Sequence, residues 1–305
     1  MYSKKGIVKI LIIGSCGFIG SSLKLILSEK YEVHGADIRQ EVQKNYTSLE
    51  NSQLLVNLIK VNKYDLVINC SGSANVQFSF NFPFDDYNLN VNNVFLHLDS
   101  IKEYAPKTKY LLLSSAAVYG NPKVFPVCEN NSMAPISPYG YHKLAAEKLC
   151  KEFNDIYDIQ TLIVRIFSAY GPGLKKQLFW DLHQKYLKRD KIELFGTGEE
   201  TRDFIFIDDL VDALELVMVN SSFENDIINI GSGYSIKIKD AAKVFFENLS
   251  KPVDYFFSNI ALSGAPNNWS VNIDKLKAFG FEPQYSISKG IKTTSLWLQE
   301  NYPLE

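Results

Sequence analysis

Residues 8–28 read VKILIIGSCGFIGSSLKLILS. An apolar, β-branched run, Val8–Ile13, breaks at Gly14 and is followed after Gly20 by apolar positions at helical spacing, so the stretch predicts a buried strand, a glycine-rich turn and a helix. In that context the glycines have a chemical use. They allow a tight turn, let backbone N–H groups approach a pyrophosphate at the positive end of a helix, and permit close packing of helix on strand. The next predicted strand, Glu32–Ala36, leads into Asp37, 17 residues beyond Gly20, close to the spacing of about 20 for the carboxylate that binds an adenosine ribose. A structural turn and a surface acid would need all four features to coincide by chance.

The same alternation continues outward. Leu66–Asn69, Lys109–Ser114 and Thr161–Arg165 read as further strands, separated by helical patterns at Phe18–Ser28, Leu54–Asn62, Tyr87–Tyr104 and Tyr139–Tyr157. A doubly wound parallel α/β sheet of the Rossmann type follows, with a smaller, interwoven C-terminal substrate part. Residues 1–170 are expected to form the dinucleotide-binding domain, with 203–230 returning to it and with 171–202 and 231–305 forming the substrate domain. In the later half, helices are expected near Leu178–Lys188, Ile238–Leu249 and Lys289–Glu300, a strand at Ile227–Ile230, and a strand and helix across Phe204–Val219 with Asp208 as N-cap.

Composition narrows the partners. The 305 residues carry 32 basic and 34 acidic side chains for a net charge of −2, which gives no electrostatic reason to expect nucleic acid or an anionic membrane. No stretch approaches the roughly 20 apolar residues of a membrane span; Lys4 and Lys5 precede an apolar run, but Lys9 interrupts it. Cys16, Cys70, Cys128 and Cys150 are far apart and lack metal-site spacing, so no metal is expected, and a cytoplasmic location is.

The chemistry is expected at two places. Ser114 and Ser115 follow a predicted buried strand, so their hydroxyls emerge where such sheets bind ligands. Tyr139 and Lys143 are four apart at the start of a helix and share a face, whereas Tyr141 points elsewhere. A tyrosine of pKa about 10 is a poor base at neutral pH, and an ammonium beside it lowers that pKa. Tyr139 is therefore expected as acid/base for hydride transfer at a sugar carbon, Lys143 as its tuner and as a nicotinamide-ribose ligand, and Ser115 as stabiliser of the reacting oxygen.

With these residues in place the chain resembles the extended short-chain dehydrogenase/reductase family, whose members include nucleotide-sugar epimerases, dehydratases and reductases. The resemblance rests on Gly14–Gly20 as GxxGFIG, on Ser115 lying 24 residues before Tyr139, and on the YxxxK of Tyr139 and Lys143. Tyr170-Gly171-Pro172, Gly196-Thr197-Gly198, Arg202-Asp203-Phe204 and Asp208-Asp209-Leu210 extend it over almost the whole chain. It implies an NAD(P)-dependent enzyme acting on a nucleotide-diphosphate sugar, as a homodimer packed through the helices at 87–104 and after Tyr139. It implies cofactor contacts from Gly14, Cys16, Gly17, Phe18, Ile19, Gly20, Asp37, Ile38, Cys70, Ser71, Gly72, Asn90 and Lys143. Substrate contacts are implied from Ser115, Ala116, Tyr139, Ser168 and Arg202, the arginine on the diphosphate.

Asp37 repels a 2′-phosphate and favours NAD, while Arg39 offers such a phosphate a guanidinium and keeps NADP as the alternative. The Asp-Glu pair typical of the dehydratases is replaced by Ala116-Ala117, which disfavours elimination of water. The arginine usual before the late Pro-Gly-Asp segment is absent around Ser263-Gly264-Ala265-Pro266, so Lys175, Lys176 or Gln177 is expected to help with the diphosphate. Ser48 or a neighbour stands where an acid usually holds adenine. An epimerase is expected; a 4-keto-sugar reductase uses the same residues, and a dinucleotide sensor without catalysis is the alternative of another class.

Overall fold

Strand β1 (Lys9–Ile13) leads into α1 (Phe18–Leu27), β2 (Glu32–Asp37), β3 (Tyr46–Ser48), α2 (Ser52–Asn62) and β4 (Leu66–Asn69). The crossover to β5 (Lys109–Ser115) contains α3 (Val76–Asn81), α4 (Pro83–Tyr87), a π turn at Asn88–Asn92 and α5 (Asn93–Tyr104). A 3-10 turn at Ala116–Tyr119 precedes α6 (Pro138–Tyr157), β6 (Thr161–Ile166), β7 (Ser168–Tyr170) and α7 (Gln177–Leu187). Then come β8 (Ile192–Leu194), β9 (Thr201–Phe206), α8 (Ile207–Asn220), β10 (Glu224–Ile230) and β11 (Ser235–Lys237). The chain ends with α9 (Ile238–Glu247), β12 (Tyr255–Phe257), α10 (Asp274–Ala278) and α11 (Ile287–Asn301). These elements are seen in a computed structural model that describes residues 8–41, 44–188, 191–260, 264 and 266–304. Lys4, Lys5, Ser263 and Ala265 lie outside the described residues.

Seven strands form one parallel sheet in the order β10-β6-β5-β4-β1-β2-β3. The order reverses between β1 and β4, which is where a doubly wound sheet opens a crevice for a ligand. Side chains of β1 alternate between the two faces. Ile10 and Ile12 pack with Leu23 and Leu27 of α1 and Leu210 and Leu214 of α8, while Leu11 and Ile13 pack with Leu55, Ile59, Leu98, Ile101 and Phe153 of α2, α5 and α6. Each such side chain contributes roughly 1.5–3 kcal/mol on leaving water, so both helical layers are held by the same strand. The expected α/β sheet is the observed one.

Two smaller sheets, β11-β9-β7 and β12-β8, carry the rest. Strand β10 returns to the central sheet, and α8 packs against α1 on its face. Residues 203–206, expected to return with it, instead lie in β9 beside β7 and β11.

Two local expectations are corrected. Helix α8 begins at Ile207 with Phe206 as N-cap, so Asp208 sits in its first turn. The neighbouring Asp209 accepts from the amides of Gln284 and Tyr285 at 2.9 and 3.1 Å. Val76–Asn81 and Pro83–Tyr87 fold as two short helices. Asn75 caps the first through the Phe78 amide, and Pro83 opens the second. Helices of six and five residues show too few turns for a period to be read. The helix expected from Tyr87 starts with the π turn, whose wider spacing turns Asn90 and Val91 inward.

Candidate active site

The glycine turn is held by β2. The amides of Gly14 and Ser15 donate to the carbonyl of Ala36 at 2.8 and 3.2 Å, and Gly14 takes a φ of +81°. A Cβ on Gly14 would lie 2.7 Å from the amide nitrogen of Ser71, and one on Gly20 would collide with the carbonyl oxygen of Gly14. The turn thus seats the start of α1 directly between the ends of β1 and β4. Helix α1 has Gly17 as N-cap, no capping side chain and no acid in its first turn, so its leading N–H groups face outward at the positive pole. Phe18 and Ile19 are half-buried against the core behind them.

Asp37 closes the cradle on the β2 side. Its buried carboxylate accepts from the Cys16 amide at 2.9 Å and from the Arg39 amide at 3.2 Å. Arg39 Nη1 donates to the carbonyl of Cys16 at 3.0 Å, which places a guanidinium on the rim of the same turn. Ile38 is exposed. Tyr46, which the sequence reading passed over, takes the Cys16 thiol as donor at 3.6 Å and donates to the Arg39 carbonyl. Ser48 pairs in register with Asp37, and its buried hydroxyl has no partner among the described residues.

The β4 side is equally fixed. Ser71 donates through its amide and hydroxyl to Asn69 Oδ1 at 3.0 and 2.6 Å; Asn69 in turn donates to the Tyr110 hydroxyl, which also meets His97 Nδ1 at 3.0 Å. Burial pulls His97 down to about 3, so it is a neutral structural partner. Cys70 is a free thiol beside this network. Asn90 is buried, donates to the Asp86 carbonyl at 3.2 Å, and turns toward Gly72 an Oδ1 that has no partner among the described residues. The glycine cradle, the carboxylate and this orphaned oxygen fit a dinucleotide.

Ser115, Tyr139 and Lys143 come together at the end of β5. Ser137 caps α6 through the Gly140 amide at 3.2 Å and Pro138 opens it, so Tyr139 enters on the first turn with Lys143 one turn on. Ser115 accepts from the Ala117 amide at 3.2 Å, and its hydroxyl acts on the Tyr139 phenol to favour the ionised form. Lys143 Nζ donates to the carbonyl of Leu113 at 3.1 Å and lies 5.9 Å from the centre of the Tyr139 ring. Both side chains are buried.

Their electrostatics correct one expectation. Burial pushes Tyr139 up to about 12, opposed by the Ser115 hydrogen bond and reinforced by the charge of Asp86. Lys143 was expected to lower Tyr139. Instead burial takes Lys143 itself down to about 8, against the pull of Asp86 and Glu147, and its ammonium is turned to Leu113. Desolvation is the largest cause at both groups. Tyr119, a possible rival, is used structurally: its hydroxyl donates to Asn229 at 2.7 Å and accepts from Arg165 at 2.8 Å. Tyr141 points to solvent.

On the substrate side, Ser168 is half-buried in β7 and Ala116 is fully buried. Arg202 donates to the carbonyls of Thr201 and Asn267 at 2.7 and 3.2 Å, and its guanidinium lies 5.6 Å over the Trp269 ring. Burial lowers it to about 10. Trp269, missed in the sequence, also donates to the Gly120 carbonyl at 3.4 Å and meets Phe167 edge-on. Lys176 precedes α7 and acts electrostatically on Lys143, whereas Lys175 lies over the Tyr302 ring. No cluster of metal-ligating side chains occurs among the described residues.

Residues 10–231 match the model of the NAD dependent epimerase/dehydratase family. The chain belongs to this family. A putative UDP-glucose 4-epimerase of Methanocaldococcus jannaschii is 28% identical, over 96% of this chain and 99% of its own. Among solved structures, the UDP-glucuronic acid 4-epimerase of Bacillus cereus, in complex with UDP-glucuronic acid and NAD, superposes with a TM-score of 0.87 at 25% identity. That match covers 97% of this chain and 100% of the other. The UDP-glucose 4-epimerase of Thermotoga maritima with UDP-glucose gives 0.86 at 25% identity, covering 96% and 99%. As a member of an NAD-dependent family, the chain has NAD as its cofactor.

Proposed function

We propose that this member of the family is a nucleotide-sugar 4-epimerase that uses Tyr139 as acid/base, Ser115 as hydrogen-bond partner of the reacting oxygen and Lys143 as the charge beside them. The observation that carries the reading is that Tyr139 and Lys143, buried one helical turn apart on α6, lie against the end of β5 where Ser115 stands, with Lys143 bonded to Leu113 of that strand, at the strand ends that also hold the glycine cradle. Gly14, Cys16, Gly17, Phe18, Ile19, Gly20, Asp37, Ile38, Cys70, Ser71, Gly72, Asn90 and Lys143 line the NAD site in this reading. NAD, when bound, supplies an acceptor and donor for one hydride. Tyr139 removes the hydroxyl proton as that carbon is oxidised and returns it when the carbon is reduced on its other face. Ser115 steadies the oxygen throughout. Atoms and electrons balance with no net oxidation, so an epimer is the sole product.

Ser168, Ala116 and Arg202 are assigned to the nucleotide sugar, Arg202 to its diphosphate. The UDP-sugars named for the Bacillus and Thermotoga structures supply the substrate class. Residues 1–170 with 207–230 serve the cofactor in this reading, and 171–202 with 231–305 the sugar. A homodimer is proposed through α5 and α6, where Phe95, Tyr141 and Ile156 are exposed. A reducing cytoplasmic location suits the four free thiols.

The test is to incubate the purified protein with UDP-glucose or UDP-glucuronate, without added NADH, and follow the C4 proton by NMR. A mixture of the two C4 epimers is expected. Product that appears only with stoichiometric loss of added NADH would show a reductase instead.

A further inference from the structure

One edge of the Arg202 guanidinium is left open. On β9 Arg202 alternates with Asp203, which turns to the other side and receives the amide and hydroxyl of Ser232 at 2.7 and 3.0 Å. Glu200 is committed to the amides of Thr197 and Gly198 at 3.0 and 2.8 Å. Neither acid pairs with the arginine. Its Nη1 is engaged by the carbonyls of Thr201 and Asn267, whereas Nε and Nη2 have no acceptor among the described residues. The Nε–Nη2 edge carries two parallel N–H donors, the arrangement that fits two oxygens of a phosphate. A half-buried cation without a carboxylate is costly in itself, and a bound anion offsets that.

A segment from far along the chain fixes this cation. Residues 267–272 run beside both Thr201 of β9 and Val127 of the connection before α6, with parallel bridges at Thr201–Asn268 and Val127–Val271. The amide of Trp269 donates to the Thr201 carbonyl at 3.1 Å, and the amide of Asn267 donates to Asn121 Oδ1 at 2.7 Å. The indole is held at its own edges as well. Its Nε1 donates to the Gly120 carbonyl at 3.4 Å, and its ring meets that of Phe167 at 5.6 Å. Gly120 closes the 3-10 turn that starts after Ser115, so the indole is tied to the strand end that carries this serine. The guanidinium lies over the fixed ring at 5.6 Å while two carbonyls take its Nη1, which restricts its rotation as well as its place.

We propose that Trp269 is a positioning residue for the diphosphate of the nucleotide sugar: its indole face holds Arg202 so that the Nε–Nη2 edge stays open to phosphate oxygens, in fixed relation to Ser115. The inference rests on the reading of Arg202 given above. Trp269 acts through the arginine, so its loss weakens nucleotide binding more than it slows the chemistry.

The experiment is a double-mutant cycle on the NAD-loaded protein, with UDP as probe and isothermal titration calorimetry as readout. Trp269→Leu removes the ring face and keeps an apolar side chain, and UDP affinity should fall by about threefold to thirtyfold. Arg202→Gln removes the charge and the paired donors and should lose about tenfold to a hundredfold. In the Arg202→Gln background, adding Trp269→Leu is expected to change affinity by no more than about twofold, because the group through which the indole acts is gone. With UDP-glucose or UDP-glucuronate as substrate, KM of Trp269→Leu should rise by more than kcat falls. Equal losses in both backgrounds, wild-type UDP affinity in Trp269→Leu, or a fall in kcat with KM unchanged overturns the proposal and leaves Arg202 on the diphosphate. Should Trp269→Leu fail to fold, Trp269→Phe takes its place in the cycle, with an expected loss of about twofold to fivefold that again vanishes in Arg202→Gln. Wild-type UDP affinity in Arg202→Gln itself would be a failure of the underlying reading: it would remove Arg202 from the diphosphate, and the role of Trp269 with it.

Discussion

Lys143 Nζ donates to the carbonyl oxygen of Leu113 at 3.1 Å, so the strand that ends in Ser115 also anchors the ammonium that shares a helical face with Tyr139. The hydroxyl of Ser115, the phenol and the lysine are therefore registered by one strand and one helix turn. Loop conformation has little say in their spacing.

This anchoring has a measurable thermodynamic side. Burial holds the folded-state pKa of Lys143 at about 8, against 10.5 unfolded, so between those values the unfolded chain binds more protons than the folded one. The contribution of Lys143 to stability is therefore unfavourable below about pH 8 and becomes less so as pH rises toward 10.5. Comparing urea unfolding of wild type and Lys143→Met from pH 7.5 to 10, wild type should gain on the variant as pH increases; a constant difference would show that the ammonium is not desolvated.

Gly20→Ala tests the cradle. The added Cβ meets the Gly14 carbonyl, so the turn must open or α1 must shift, at a cost of roughly 1–3 kcal/mol. Thermal unfolding should occur at lower temperature, and the protein should release less NAD on denaturation than wild type. Wild-type values of both would mean that helix and turn are farther apart than described.

Asp37→Ala removes the carboxylate that receives the Cys16 and Arg39 amides and leaves the Arg39 guanidinium on the rim. Affinity for NAD should fall more than affinity for NADP, by fluorescence titration of each reduced cofactor. The opposite order would reverse the proposed role of Asp37 at the ribose.

Glu147→Ala strands a fully buried guanidinium. Arg165 is 1% exposed and Glu147 4%, and Glu147 also accepts from Ser114 at 2.6 Å, so the loss should reach about 3–5 kcal/mol in denaturant unfolding. A loss within about 0.5 kcal/mol would mean that water reaches the pair.

Much of this architecture was readable before any coordinates. Strands buried on both faces give unbroken runs such as Ile10–Ile13, the glycine turn follows one strand and Asp37 ends the next, so local pattern and tertiary role coincide. Tyr139 and Lys143 are visible because one helical turn is four residues. What stayed hidden depends on distant parts of the chain. Asp86 meets His142 across 56 positions, and Trp269 meets Arg202 across 67, pairings that no local period encodes. Nor does residue spacing reveal that burial raises Tyr139 and lowers Lys143. That balance depends on how completely α6 covers the end of β5.

The most direct test is the rate of C4 epimerisation by Tyr139→Phe, measured beside the NAD that the same preparation releases on denaturation. The expected result is wild-type NAD content with turnover lower by a factor on the order of 10² to 10⁴. Turnover equal to wild type at the same NAD content would contradict the assignment of Tyr139 as the group that moves the proton.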